Sequence, residues 1–245
     1  MAKLRASNIE PQSGTNLTLG ASGDTVTISS TDVRSNTVKD AGGNTLWVSN
    51  GSGTLSSVNS ALAGGGVTLL NTTTVSSVDQ VVFGSSIINS TYDEYWIFWD
   101  GIHNNNENEF LVNMSHNDGT MPTTKTSVTW NAQQPISGGT GDFSYQTSTD
   151  CNGQTTGAKL SLNIQMDADC GLAGCMKIYQ PSSATYNTWM SFNSSYQTTG
   201  GQLDHLYGAV YNQDPGENAT NYIVFSVGGS SPTMSTGTFK VYGVG

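Results

Sequence analysis

Charge is scarce in this chain. Its 245 residues include 8 basic and 18 acidic side chains, so only 11% are charged, against roughly a quarter in an average globular protein. Coiled coils and helix bundles are built from Ala, Glu, Lys and Leu, and a sequence this poor in Glu and Lys does not fit that class. No Lys or Arg cluster is present, and the net charge is −10 with a pI near 4.4. A nucleic-acid binder needs a basic stripe to neutralise phosphates, so that partner is excluded as an expectation. No run of about 18 apolar residues occurs, so no membrane-spanning helix and no membrane insertion are expected. MAKLRASNIEPQSG, at the start, is polar throughout and lacks the charged-then-apolar order of a secretory signal. Synthesis in the cytoplasm with reduced thiols is the corresponding expectation. Cysteine is limited to Cys151, Cys170 and Cys175, an odd number too small for a disulfide framework. Cys170 and Cys175 flank Gly-Leu-Ala-Gly, read as a four-residue hairpin tip. Two reduced thiols beside a turn, a disulfide or half of a metal site are the readings that spacing leaves open.

What the chain does have is 31 serines, 31 threonines, 22 asparagines and 29 glycines, nearly half of its residues. Thr favours strands, and Gly and Asn supply the positive-φ positions of tight turns. Five Trp, ten Tyr and seven Phe are concentrated after residue 80, enough to build a core and to exclude whole-chain disorder. An all-β fold of short strands follows.

The composition changes near residue 66. Residues 15–66 hold one aromatic residue, Trp47, and short alternating units such as TNLTLG (15–20) and DTVTIS (24–29). Units this thin gain stability when several chains wrap around one another and share a core. GGG (64–66) is a natural hinge. Residues 67–245 are rich in strand signals, of which YDEYWIFWD (92–100) is the strongest. Tyr92, Glu94, Trp96 and Phe98 point one way, and Asp93, Tyr95, Ile97 and Trp99 the other. Aromatics on both faces imply a central strand buried on both sides, or one side meeting a partner subunit. Tyr95, Ile97 and Trp99, with Trp47, are therefore read as subunit interface or core. VDQVVFG, EFLVNMS, SVTWNA, KLSLNIQMD, MKIYQ, TWMSFNS, LYGAVYN, NYIVFSVG and GTFKVYGV complete an antiparallel sandwich.

Catalytic signatures are missing: there is no phosphate-cradling loop, no nucleophile elbow and no HExxH. His103, His116 and His205 are isolated in sequence. Carboxylates for glycoside cleavage would have to come from Asp93, Glu94 and Asp100, or from Asp167 and Asp169, and nothing in their spacing brings a pair together. NNNENE (104–109) and DAD (167–169) offer oxygen ligands without calcium-loop spacing, so no metal and no cofactor are expected. Tyr and Trp stack on sugars while Asn and Asp bond their hydroxyls. Trp96, Phe98, Trp130, Trp189 and Phe192 lie in strands and read as core. Connecting segments carry recognition, which makes His103, Asn104, Asn106, Tyr145, Tyr186, Asn212 and Asn218 the candidate receptor contacts.

IEPQSGTNLTLGASGDTVTIS and TDVRSNTVKDAGGNTLWVSNGSGTLSSVN resemble stem segments of virion fibre proteins of tailed bacteriophages, especially marine cyanophages. STYDEYWIFWDGI (90–102), KIYQPSSATYNTWMSF (177–192) and IVFSVGGSSPTMSTGTFKVYGVG (223–245) resemble the β head found with such stems. The resemblance implies a structural protein of the virus particle, on the tail or the capsid surface. It implies a homotrimer with a virion-attachment segment (1–14) contacting other virion proteins, an intertwined β stem (15–66) and a jelly-roll-like β-sandwich head (67–245). It implies adhesion to a host-surface glycan or outer-membrane component, and no enzymatic activity. A decoration protein without receptor binding and a glycan depolymerase are the alternatives. At about 50 residues the stem spans at most about 170 Å fully extended, so a long reaching fibre is excluded for this chain alone.

Overall fold

The computed structural model describes residues 35–40, 42–52, 55–58, 66–116, 121–165, 167–183, 185–212, 219–229 and 233–245. The expected attachment segment 1–14, the strands at 15–20 and 24–29, and Asn218 lie outside the described residues. The chain separates into two units that divide between Gly64 and Gly65.

In the first unit, β1 (Thr37–Lys39), β2 (Thr45–Ser49) and β3 (Leu55–Val58) form a three-stranded antiparallel sheet. Asp40 closes the β1–β2 turn by accepting from the Asn44 backbone N–H at 2.8 Å, and Gly43 takes the positive φ there. Trp47, on β2, is half-buried.

The second unit contains β4 (Val67–Val78), β5 (Gln80–Phe83), β6 (Glu94–Asn104), β7 (Phe110–His116), β8 (Met121–Pro122) and β9 (Lys125–Pro135). It continues with β10 (Asp142–Tyr145), a 3-10 turn at Thr147–Thr149, β11 (Asn152–Gln154), β12 (Ala158–Lys159) and β13 (Leu172–Tyr179). It ends with β14 (Trp189–Gln197), β15 (Gln202–Asn212), β16 (Tyr222–Val227) and β17 (Met234–Val244). These strands make two antiparallel sheets. The larger runs β10-β9-β15-β14-β13-β6-β17-β4, with β11 also on β9; the smaller runs β12-β7-β16-β5, with β8 on β7. The all-β, antiparallel expectation is met. β17 lies between β4 and β6, so among the described residues β4 joins the sheet only through β17.

The two sheets share an aromatic core. From the larger sheet come Trp99 and Phe239; from the smaller, Phe83, Phe110 and Phe225. Phe110 stacks on Phe225 at 5.6 Å, Phe225 meets Phe239 at 5.1 Å, and Trp99 lies 5.6 Å from Phe110. Ring pairs at this spacing add to the gain from burial alone. Gly174, paired with Trp99 across β13 and β6, makes room for the indole: a Cβ there would stand 2.8 Å from the ring and 2.2 Å from the Asn193 carbonyl oxygen.

Three sequence expectations change. KLSLNIQMD is mostly not a strand. After β12 it crosses the core as an irregular strap, with Leu160 N–H on the Phe110 carbonyl at 2.7 Å and Leu162 N–H on the Tyr196 hydroxyl at 2.8 Å. Its backbone groups thus find partners outside a regular ladder. Gly-Leu-Ala-Gly is not a hairpin tip, because β13 starts at Leu172 and carries Cys175 into the sheet beside Phe98. Cys151, Cys170 and Cys175 are all free thiols. Finally, β6 is central in its sheet but buried on one face only. Tyr95, Ile97 and Trp99 are in the core, whereas Trp96 is half-buried and Phe98 is 39% exposed.

Candidate functional site: an outward-facing aromatic sheet

β9 shows how the site arises. Its alternation gives one face of Lys125, Ser127, Thr129 and Asn131 and another of Val128, Trp130 and Ala132. Simple partition would turn the second face inward. The structure does the reverse: the four polar residues are buried, while Val128 is half-buried and Trp130 is 37% exposed. Buried polar groups are tolerated only with partners, and the segment after β10 supplies many of them. Ser127 Oγ accepts from Cys151 N–H at 2.8 Å, and the hydroxyls of Thr129 and Thr149 bond each other. Lys125 Nζ donates to Asn113 Oδ1 at 2.6 Å, to the Thr123 carbonyl at 2.7 Å and to the Thr155 carbonyl at 3.2 Å. Burial in this uncharged surround pulls the Lys125 ammonium down to about 8. The fold therefore spends polar burial on β9 while its tryptophan stays outside.

The neighbouring strands repeat the pattern on the same face. By register, Trp130 stands opposite both Tyr145 of β10 and Tyr207 of β15. The row continues through Asn193, Cys175 and Phe98 to Lys240. Six steps between strands make this row about 29 Å long. Beside it lie Phe143 (59% exposed), Trp189 (52%) and Tyr211. Rings touch at Trp130–Tyr145 (6.3 Å), Phe143–Tyr207 (5.9 Å), His205–Tyr207 (5.5 Å) and Trp189–Tyr211 (4.4 Å). The Tyr145 hydroxyl donates to Asp150, which raises its pKa.

At the β6–β17–β4 end the face becomes concave. A cavity of about 520 Å³ is lined by Val67, Trp96, Phe98, Trp99, Asp100, Thr238, Lys240 and Tyr242. Phe98 and Tyr242 meet edge to face at 5.7 Å and 90°. Trp96 is fixed from two sides: its Nε1–H donates to Glu94 Oε1 at 2.5 Å, and Lys177 Nζ lies 4.4 Å over its ring. Bulges bracket the cavity, one between Val241 and Tyr242 against β4, the other where β17 crosses Gly101–Ile102 of β6. Bulges of this kind re-aim side chains beside binding sites.

The contact residues expected from loops do not converge. Tyr145 belongs to the aromatic face. Tyr186 is 66% exposed in a separate polar cleft with Tyr92, Asp93 and Ser183. His103 is half-buried, its Nδ1 2.8 Å from Ser235 Oγ and its Nε2 3.1 Å from the Asp167 carbonyl. Asn106 is half-buried. Asn104 and Asn212 are buried, and Asn212 donates to Thr220 Oγ1 at 3.2 Å; their side chains are not on the surface. Trp96, Phe98, Trp130 and Trp189, read as core, are at least partly outside, and only Phe192 of that set is buried. One signal in the sequence pointed to this, the aromatics on both faces of β6; the Val/Trp against Ser/Thr/Asn alternation of β9 pointed the other way.

A second serine–histidine pair, Ser195 Oγ with His205 Nδ1 at 2.7 Å, sits on the outer face. Its ring contact is Tyr207, and among the described residues no carboxylate bonds His205. No group of three or more His, Cys, Asp or Glu side chains among the described residues is arranged to hold a metal ion. No protein-family model matches the chain, and no match was found among curated proteins or solved structures.

Proposed function

We propose that this chain is a non-enzymatic structural protein of a tailed-phage virion, a short fibre tip whose β head adheres to a component of the host cell surface. Its resemblance to phage fibre stems motivates the virion assignment, with residues 1–14 as the attachment segment and a homotrimer as the working assembly. The two-sheet head is read as a β-sandwich. The observation that carries adhesion is the inverted strand β9. It buries Lys125, Ser127, Thr129 and Asn131 yet exposes Trp130, in line with Tyr145, Tyr207 and Phe98. Monomeric proteins rarely leave apolar surface of this extent uncovered without a contact to make. The acidic chain suits such a surface, because stacking and hydrogen bonds hold in salt that screens net charge.

Saturable binding of the labelled full-length chain to a panel of marine cyanobacterial strains tests this reading. Binding to at least one strain, reduced by Trp130→Ser with Tyr207→Ser, is expected. No binding to any strain refutes it. Light scattering of the full chain is expected to give three times the 25.8 kDa chain mass; a monomer refutes the trimer.

A further inference from the structure

We infer that the cavity between β4, β17 and β6 is a binding site for an uncharged pyranose of a surface glycan. The inference rests on the adhesion reading and narrows it to a ligand class and a place.

Two charged side chains line the cavity, Asp100 and Lys240, and two more, Glu94 and Lys177, stand beside it on the same face of the sheet. β6 brings Glu94 and Asp100, β13 brings Lys177, β17 brings Lys240, and β4 brings none. Glu94 is occupied by the Trp96 indole and Lys177 by the Trp96 ring face. Asp100 and Lys240 remain. They stand one register step apart on adjacent strands, since Asp100 faces Thr238 and Phe98 faces Lys240. Both are exposed, and among the described residues neither makes an ion pair. A carboxylate accepts and an ammonium donates, so this separated pair bonds two hydroxyls of one ring in opposite senses. Phe98 and Tyr242 provide the apolar wall for the ring's C–H face. Concave, mostly apolar lining with a few placed polar groups is the usual make-up of a small-ligand site.

The same balance selects against charged sugars. An acidic sugar gains Lys240 but meets Asp100, on a chain of net charge −10. A cationic sugar meets Lys240. An uncharged ring satisfies both.

Affinity electrophoresis of the full chain through gels containing dextran, mannan or galactomannan, or containing alginate or polygalacturonate, tests the inference. At least one neutral polymer is expected to retard the chain and the acidic polymers are not. Phe98→Ala is expected to abolish retardation, and Asp100→Asn and Lys240→Met each to weaken it about tenfold. The last two are exposed positions, so loss of folding does not explain their effect; thermal melts verify this. Retardation by acidic polymers alone, by no polymer, or unchanged in all three variants overturns the inference. A fall in native mass on Phe98→Ala also overturns it, by assigning the face to a second copy. Cell binding separates the two readings. If wild type and Phe98→Ala bind cells equally, the sugar site fails and adhesion stands. If wild type binds no cells, adhesion itself fails.

Discussion

Lys125 should make the second unit more stable as the solution becomes more alkaline. Its amine is fully buried, bonded only to neutral oxygens, and its pKa falls from 10.5 to about 8 through burial. Between those values the unfolded chain holds a proton that the folded chain has released. Stability therefore rises with pH across that window. Integrating from pH 7 to 9.5 with these two values gives about 2 kcal/mol. The comparison is urea unfolding of wild type and Lys125→Met at pH 7, 8 and 9.5, followed by tryptophan fluorescence. Groups away from Lys125 titrate alike in both proteins and cancel in the difference, and Cys151, whose thiol feels the Lys125 charge, is replaced by Ala in both. The protein that keeps Lys125 is expected to gain about 2 kcal/mol on the variant over that range. A difference that stays flat, or that falls with pH, refutes the picture of an ammonium held in an uncharged interior.

Trp99→Ala should cost about 3–5 kcal/mol in urea unfolding, because it empties the centre of the aromatic core. A loss under 1 kcal/mol would show that the site collapses freely. Gly174→Ala should destabilise by about 1–3 kcal/mol, since the new methyl meets the Asn193 carbonyl and the Trp99 ring; a neutral outcome in the same assay would contradict that approach. Glu109→Gln removes the negative charge that faces Lys159 at 2.8 Å and leaves an amide oxygen in its place. It should cost no more than about 1 kcal/mol, because the pair is partly exposed. Alkylation followed by intact mass should find Cys170 and Cys175 reactive in the native chain and Cys151 only after unfolding; rapid native labelling of Cys151 would count against its burial.

Much of the strand pattern was legible. β6, β7 and β14 to β17 fall where alternation and aromatic content put them, because a half-buried strand must repeat every second residue. Which face turns inward was not legible. On β9 the apolar face is outside because a later segment, from Gln146 to Cys151, supplies hydrogen-bond partners to Ser127 and Thr129 of the polar one. No local feature of SVTWNA announces those partners. Asn104 and Asn212 show the same limit from the other side. Asparagine-rich stretches read as surface, yet these two residues are buried at strand ends. Strand alternation separates two faces, and long-range partners then assign each face to core or surroundings. The candidate site was legible only as a surplus of aromatic residues on strands whose opposite faces already filled the core.

The place of β17 makes assembly of the larger sheet wait for the end of the second unit. β4 emerges early, but among the described residues its only ladder partner in the larger sheet begins at Met234. Until that segment arrives, β4 offers twelve residues without charge or proline, a bare edge for another strand. Contacts this distant in sequence form slowly. The order of synthesis thus leaves a period in which β17 of one nascent copy can pair with β4 of another; insertion of its own β17 covers that edge, and the other edge of β4 stays the open margin of the sheet among the described residues.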